Sequence, residues 1–189
     1  LDISPYEILN EKALEVKPGS EGILFVPHLG GRTFPPDSKI KGSWIGFSWN
    51  HDKKYFYRSI LESIAYEYKM YFTIIKKLFP EMNFSEVRVV GGGSNSDLWN
   101  QIKADVLGID YVKVNEENVG LKGLALIAAK GVGLVTNIEE KINQVVEITK
   151  KYEPREEYTK EYGKYAKAYY NSIDDLKDTY NTLDNINLK

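Results

Sequence analysis

The 189-residue chain contains no cysteine. That excludes disulfides and thiolate metal sites, and it fits a reducing, cytoplasmic setting. Histidine is nearly absent too: His28 and His51 both fall in loop-like stretches, too few for a metal site, and neither receives a role. No run of about eighteen apolar residues occurs, so no stretch is expected to span a membrane. Charge of one sign is also missing. The 25 Lys and Arg nearly balance 27 Asp and Glu, for a net −2, and without a long basic run no nucleic-acid or anionic-membrane partner is expected. No Gly-x-x-x-x-Gly-Lys-Ser/Thr occurs, which excludes a P-loop. The opening Leu1-Asp2-Ile3 is neither an initiator methionine nor a signal peptide, and suggests a fragment.

What the chain does have is a cluster of glycines in a telling place. Val87-Arg88-Val89-Val90 reads as a buried strand. Gly91, Gly92 and Gly93 follow, then Ser94, Ser96 or Asp97 as helix N-cap. Apolar positions at Leu98, Trp99, Ile102, Val106 and Leu107 lead to Gly108. Such a strand–turn–helix exposes backbone N–H groups at the positive end of a helix dipole, and glycine lets a ligand approach the main chain. One glycine would serve an ordinary turn, so three in a row point to a ligand. The dinucleotide fingerprint is incomplete because residue 96 is serine, and none of Asp110, Glu116 and Glu117 stands convincingly in the ribose-binding place. A nicotinamide site is disfavoured.

Around this turn the chain reads as α/β and rich in helix. Ser4-Pro5-Tyr6-Glu7 is a capping box opening a helix to about Val16. Gly22 to Pro27 is a short strand, and a long loop runs on to about Trp49. In that loop Arg32 and Asp37 either face a ligand or pin irregular backbone. A long helix spans Asp52 to Phe79. On it Arg58 and Glu62, four apart, predict a surface or domain-contact ion pair. Glu62 and Glu67, five apart, do not share a face. Asp105 reads as structural. Tyr111–Val114 is a strand and Val119 to Lys130 a helix, so the β-α-β-α order makes two parallel neighbouring strands. A short helix from Asn137 to about Val146 follows. One long helix begins at Arg155, where Tyr158, Tyr162, Tyr165, Tyr169, Ile173, Leu176, Tyr180 and Leu183 form a packed face with wet hydroxyls.

These residues carry a resemblance. Val90-Gly91-Gly92-Gly93-Ser94-Asn95-Ser96-Asp97-Leu98-Trp99-Asn100-Gln101, with Ala104-Asp105-Val106-Leu107-Gly108, resembles the adenosine motif of the FGGY carbohydrate kinases, in the actin/hexokinase superfamily. Phe25-Val26-Pro27-His28-Leu29-Gly30-Gly31-Arg32, then Pro35, Asp37 and Lys41-Gly42-Ser43-Trp44-Ile45-Gly46-Phe47, is similar to the family's Pro-x-Leu-x-Gly-x-Arg-x-Pro loop and the segment after it. Arg58-Ser59-Ile60-Leu61-Glu62-Ser63-Ile64-Ala65-Tyr66 is similar to the helix that follows. Xylulose kinases are the members it most resembles.

The resemblance implies a helix-rich, partial actin/ribonuclease-H-like domain over residues 1–150, with a small, mainly parallel sheet, and a tyrosine-rich helix over 151–189 packed on it. It implies ATP with Mg²⁺ as cofactor and a sugar or polyol as phosphoryl acceptor. Gly91, Gly92, Gly93, Ser94, Asn95 and Ser96 become the nucleotide-binding residues: Gly92 and Gly93 near ribose and α-phosphate, the three polar residues near base or ribose. Ser96 stands where some members have asparagine. The family's catalytic aspartate, phosphate motifs and sugar-binding domain lie upstream of this segment, and neither Asp-x-Gly-x-Thr nor Gly-x-x-Asp-x-x-x-Gly occurs here. No catalytic residue is therefore assigned. The chain is expected to be inactive without the N-terminal kinase domain, to leave strand edges open to a homodimer, and to meet the other domain through a helix bearing Gly120 and Gly123. Close packing within one domain would explain those two glycines equally well. The competing class is a non-catalytic actin-like nucleotide-binding or assembly module.

Overall fold

The computed structural model describes residues 4–114 and 119–187. Leu1-Asp2-Ile3, Glu116 and Glu117 lie outside the described residues. Helix α1 (Pro5–Leu14) opens on the expected capping box, with the Tyr6 amide donating to Ser4 Oγ at 3.3 Å and the Ser4 amide to Glu7 Oε2 at 3.2 Å. Strand β1 (Leu24–Val26) pairs antiparallel with β2 (Ser43–Ile45). That second strand lies inside the stretch read as continuous loop. It is three residues long and flanked by Gly42 and Gly46, too short to show a period. Arg32 and Asp37 do pin the loop between, through their main chains: each amide donates to the other's carbonyl at 2.8 and 2.9 Å.

Helix α2 (Lys53–Leu78), capped by Asp52, is the central element and packs on α1, β1, α3 (Asp97–Leu107) and α6 (Glu156–Asp175). Strand β3 (Glu86–Val89) runs parallel to β4 (Asp110–Val114) with α3 as the crossover, as the element order requires. An unforeseen strand, β5 (Ile148–Tyr152), pairs antiparallel on the far side of β4. Its Ile-Thr-Lys-Lys-Tyr buries only Tyr152, so it shows no alternation to read. Helices α4 (Val119–Gly131) and α5 (Ile138–Val145) connect β4 to β5. No residue of α4 is buried. The expected single C-terminal helix is two, α6 and α7 (Lys177–Asn187), interrupted at Leu176.

The tyrosine face is core. Tyr162, Tyr169, Ile173 and Tyr180 are buried against Ala13, Val26, Leu61, Ala65, Tyr66 and the inner face of α3, while Tyr158, Tyr165 and Leu176 are half-buried and Leu183 is exposed. Its hydroxyls at Tyr162 and Tyr169 are buried and bonded, not wet. Tyr162 donates to Glu62 at 3.0 Å and Tyr169 to Glu67 at 2.7 Å.

The Arg58–Glu62 pair is likewise buried, not on the surface. Arg58 is 4% and Glu62 1% exposed, with 2.8 Å between Nε and Oε1. Two residues with long polar side chains in an otherwise apolar helix face look surface-bound until α6 is laid over them. No described helix is long and apolar enough to cross a membrane.

Candidate functional site

The glycine turn leaves β3 at Val90. Gly91 takes φ +84°, ψ 179°, a conformation open in practice to glycine alone. A short 3₁₀ turn, Gly92–Asn95, then brings the chain to α3. Three side-chain bonds fix it. Ser94 Oγ donates to the Gly91 carbonyl at 2.7 Å, Asn100 Nδ2 donates to the Ser94 carbonyl at 2.8 Å, and Ser96 Oγ caps the helix by accepting from the Trp99 amide at 3.2 Å. The cap is Ser96, one of the three candidates.

Each glycine has a different reason for being one. Gly91 needs its backbone angle. A Cβ on Gly93 would sit 2.8 Å from Trp99 Cζ3, so the indole packs on its bare Cα. Gly92 has neither a positive φ nor any atom within 4 Å of an added Cβ.

Gly92, Gly93, Asn95 and Ser96 border a cavity of about 570 Å³ between the turn, α1 and α2, within the range of small-molecule sites. Asn10 of α1 and Tyr57, Ile60 and Ile64 of α2 form the opposite wall, and Trp99 closes it at the turn. Asn10 Oδ1 ties the walls together, accepting from Tyr57 OH and from Ser96 Oγ, each at 3.1 Å. Gly91 and Ser94 do not line this cavity. Ser94 is buried with its hydroxyl turned to Gly91, and Asn95 Oδ1 accepts from Lys113 at 2.9 Å. The sequence had no way to name Asn10 or Tyr57, which lie on other elements. Ile60 and Ile64, four apart on α2, are apolar positions that the sequence alone does not distinguish from core.

The acidic groups nearby are already committed. Asp97 is bonded by Lys150 and Tyr152, contacts that lower its pKa. Asp105 is wholly buried and bonded by the Arg155 guanidinium and amide and by Gln101. Glu67 accepts from Tyr169 and Tyr71 and lies 3.3 Å from His28. A second cavity of about 470 Å³ is lined by Lys17, Arg58, Lys150, Lys151 and Arg155, of which the last four are paired with carboxylates. Among the described residues no group of three or more His, Asp or Glu could hold a metal ion. Preformed main chain beside an apolar cavity can bind and orient a ligand; the carboxylate in its lining, Glu7, is engaged in the α1 capping box, accepting from the Ser4 amide.

Residues 5–132 match the FGGY family of carbohydrate kinases, C-terminal domain. The chain is 34% identical over 164 residues to the xylulose kinase of Staphylococcus epidermidis, 86% of this chain and 32% of that protein. It is 27% identical over 188 residues to the gluconokinase of Bacillus licheniformis, 98% of this chain and 36% of that protein. It thus spans about a third of the length of these relatives. The ligand-bound xylulose kinase of Lactobacillus acidophilus shares the fold, with TM-score 0.82 at 24% identity over 96% of this chain and 36% of that one. With its helix-rich α/β architecture and its match over most of its length, this chain belongs to the FGGY family of carbohydrate kinases and carries the family's C-terminal, actin-like domain.

Proposed function

We propose that the chain is the adenine-nucleotide-binding side of an ATP-dependent sugar or polyol kinase of the xylulose kinase type. One observation carries this reading: Gly92 lines the cavity and has no conformational or packing reason to lack a side chain. An approaching ligand supplies that reason. Gly92 and Gly93 would present main chain to the ribose and α-phosphate, with Asn95 and Ser96 near the ribose hydroxyls or base. Gly91 and Ser94 shape the turn from behind. The nucleotide supplies the transferable phosphoryl group, and Mg²⁺ would be held through its phosphates. Calorimetric titration with ADP tests this. Binding by the wild type and none by Gly92→Val is expected; wild-type-like binding by that variant overturns it. Gly92→Val is a cleaner probe than Gly93→Val, which would also strike Trp99.

Residues 1–150 then form the ATPase-like half and 151–189 a helical cover, in a cytoplasmic enzyme whose catalytic aspartate and sugar-binding residues belong to an N-terminal part. Alone, the chain should not phosphorylate sugars, and turnover comparable with intact kinases in a coupled assay would refute that. Helix α4 supports the missing partner: Leu121, Leu124 and Ile127 are about two-thirds exposed, and Gly120 and Gly123 have open space around them. The outer edge of β3 carries no strand among the described residues and could take one from that part or from a second copy. A homodimer by gel filtration would mark the latter.

A further inference from the structure

Lys103 is out of place. It is 2% exposed, and its ammonium, which keeps a little contact with solvent, makes no hydrogen bond or ion pair with another described residue. It lies 3.6 Å from the centroid of the Trp99 ring, one helical turn back on α3, and 5.4 Å from that of Tyr111 on β4. A buried ammonium without a counter-ion is costly unless something replaces water around it, and here the electron-rich face of an indole does so.

That indole is fixed at three places. Its Nε1 donates to the Leu61 carbonyl of α2 at 3.0 Å. The six-membered edge meets the bare Cα of Gly93. Lys103 occupies a face. The first contact lets the ring pivot about its N–H; the other two set where the cavity wall stands.

We propose that Lys103 is a positioning residue of the nucleotide cavity, its ammonium holding the Trp99 indole against the glycine turn so that Gly92 and Gly93 present their main chain in register with the ligand. This rests on the nucleotide reading above. Burial lowers the Lys103 pKa from 10.5 to about 8, so the contact should weaken as pH rises through that value. Burial lowers the pKa of Lys69 of α2 as well, so the Lys103 variants assign the transition. Tyr111 is pushed up, with Tyr68 of α2 beside it, and Lys69 of α2, on the same helix–helix contact, is bonded to the Val106 carbonyl.

Two measurements on the chain test this. First, the Trp99 indole N–H resonance, identified by its loss in Trp99→Phe, should shift with a midpoint near pH 8 in the wild type. It should not do so in Lys103→Met or Lys103→Arg. Second, ADP affinity by calorimetry at pH 7 should fall about three- to tenfold in Lys103→Met, the scale of one desolvated cation–π contact. Lys103→Arg should restore it and hold it constant to pH 9.5, while the wild type weakens. Circular dichroism confirms that both variants fold, and the arginine variant decides if the methionine one does not. Wild-type affinity and pH dependence in Lys103→Met overturn the proposal. Absence of ADP binding by the wild type overturns the nucleotide reading and this role with it, while the indole titration still shows separately whether Lys103 holds Trp99.

Discussion

Arg58→Met should be among the most damaging single substitutions in the chain. The guanidinium donates to Glu62 Oε1 at 2.8 Å, to the Ala13 carbonyl at 2.8 Å and to Tyr162 OH at 2.9 Å. Glu62 also accepts from the Gly19 amide, Ser20 Oγ and Tyr162 OH. The pair therefore joins α1, the turn before β1, α2 and α6. Removing the cation leaves a carboxylate that is 1% exposed and already pushed upward in pKa by burial, so about 3–5 kcal/mol of stability is lost. Domains of this kind have about 5–15 kcal/mol in total. Glu62→Gln, which strands the cation instead, should cost a similar amount. The double variant should lose less than the sum by about 2 kcal/mol or more, since neither charge is then left alone. Urea denaturation at pH 7 followed by circular dichroism reads all three. Losses under about 1 kcal/mol for both single variants, the range of exposed ion pairs, would refute the buried assignment.

Alkaline stability should report Lys103. Its pKa is about 8 folded against 10.5 unfolded, so between these values the unfolded chain binds more protons and stability rises with pH. From pH 8 to 10 the gain from this group is about 2 kcal/mol, and urea midpoints should show Lys103→Met losing that rise; the same rise in both proteins would contradict it. Asp105→Asn should cost about 1.5–3 kcal/mol, because Arg155 is half-exposed and can regain water while the buried amide cannot satisfy all its donors; a melting temperature equal to wild type would count against the bond network. Gly91→Ala should cost about 1–3 kcal/mol for its backbone angle, and Gly92→Ala close to nothing, since its Cβ meets no atom. Equal losses in thermal melts would mean that the turn is built differently.

The elements most legible in the sequence were those with long periods or explicit punctuation. The Ser4–Glu7 capping box, the 26-residue α2 between Asp52 and Pro80, and the β3–turn–α3–β4 unit all fell where their residues put them. β2 and β5 stayed hidden because three to five residues with little burial carry no pattern; their strand identity comes from the partner, not from their own composition. The buried acids stayed hidden for a related reason. Glu62 and Glu67 find Tyr162 and Tyr169 about a hundred positions away, and spacing along one helix says nothing of what another lays across it. At the glycine turn the sequence marked six residues, 91–96, but not that only Gly92, Gly93, Asn95 and Ser96 of them border the cavity. That depends on Asn100, a helix position whose side chain bonds back to Ser94.

The turn's bond network explains why a cavity can stand ready before any ligand arrives. Loops usually lose order-dependent free energy when they bind, because main-chain freedom must be given up at that moment. Here Ser94, Ser96 and Asn100 have already fixed the backbone, and α3, which carries Asn100 and is capped by Ser96, is clamped at its other end by Asp105 to Arg155 and along its side by Trp99 to Leu61. The walls of the cavity thus belong to the same packed unit as the core. Asn100→Ala separates this pre-organisation from direct contact, since its side chain lies behind the turn and lines no part of the cavity. It should weaken ADP several-fold, about 1 kcal/mol for the lost bond, with the change appearing as a less favourable binding entropy. If the variant binds ADP as tightly as the wild type, the turn holds its shape without this bond, and the rigidity must come from the glycines and the Ser96 cap alone.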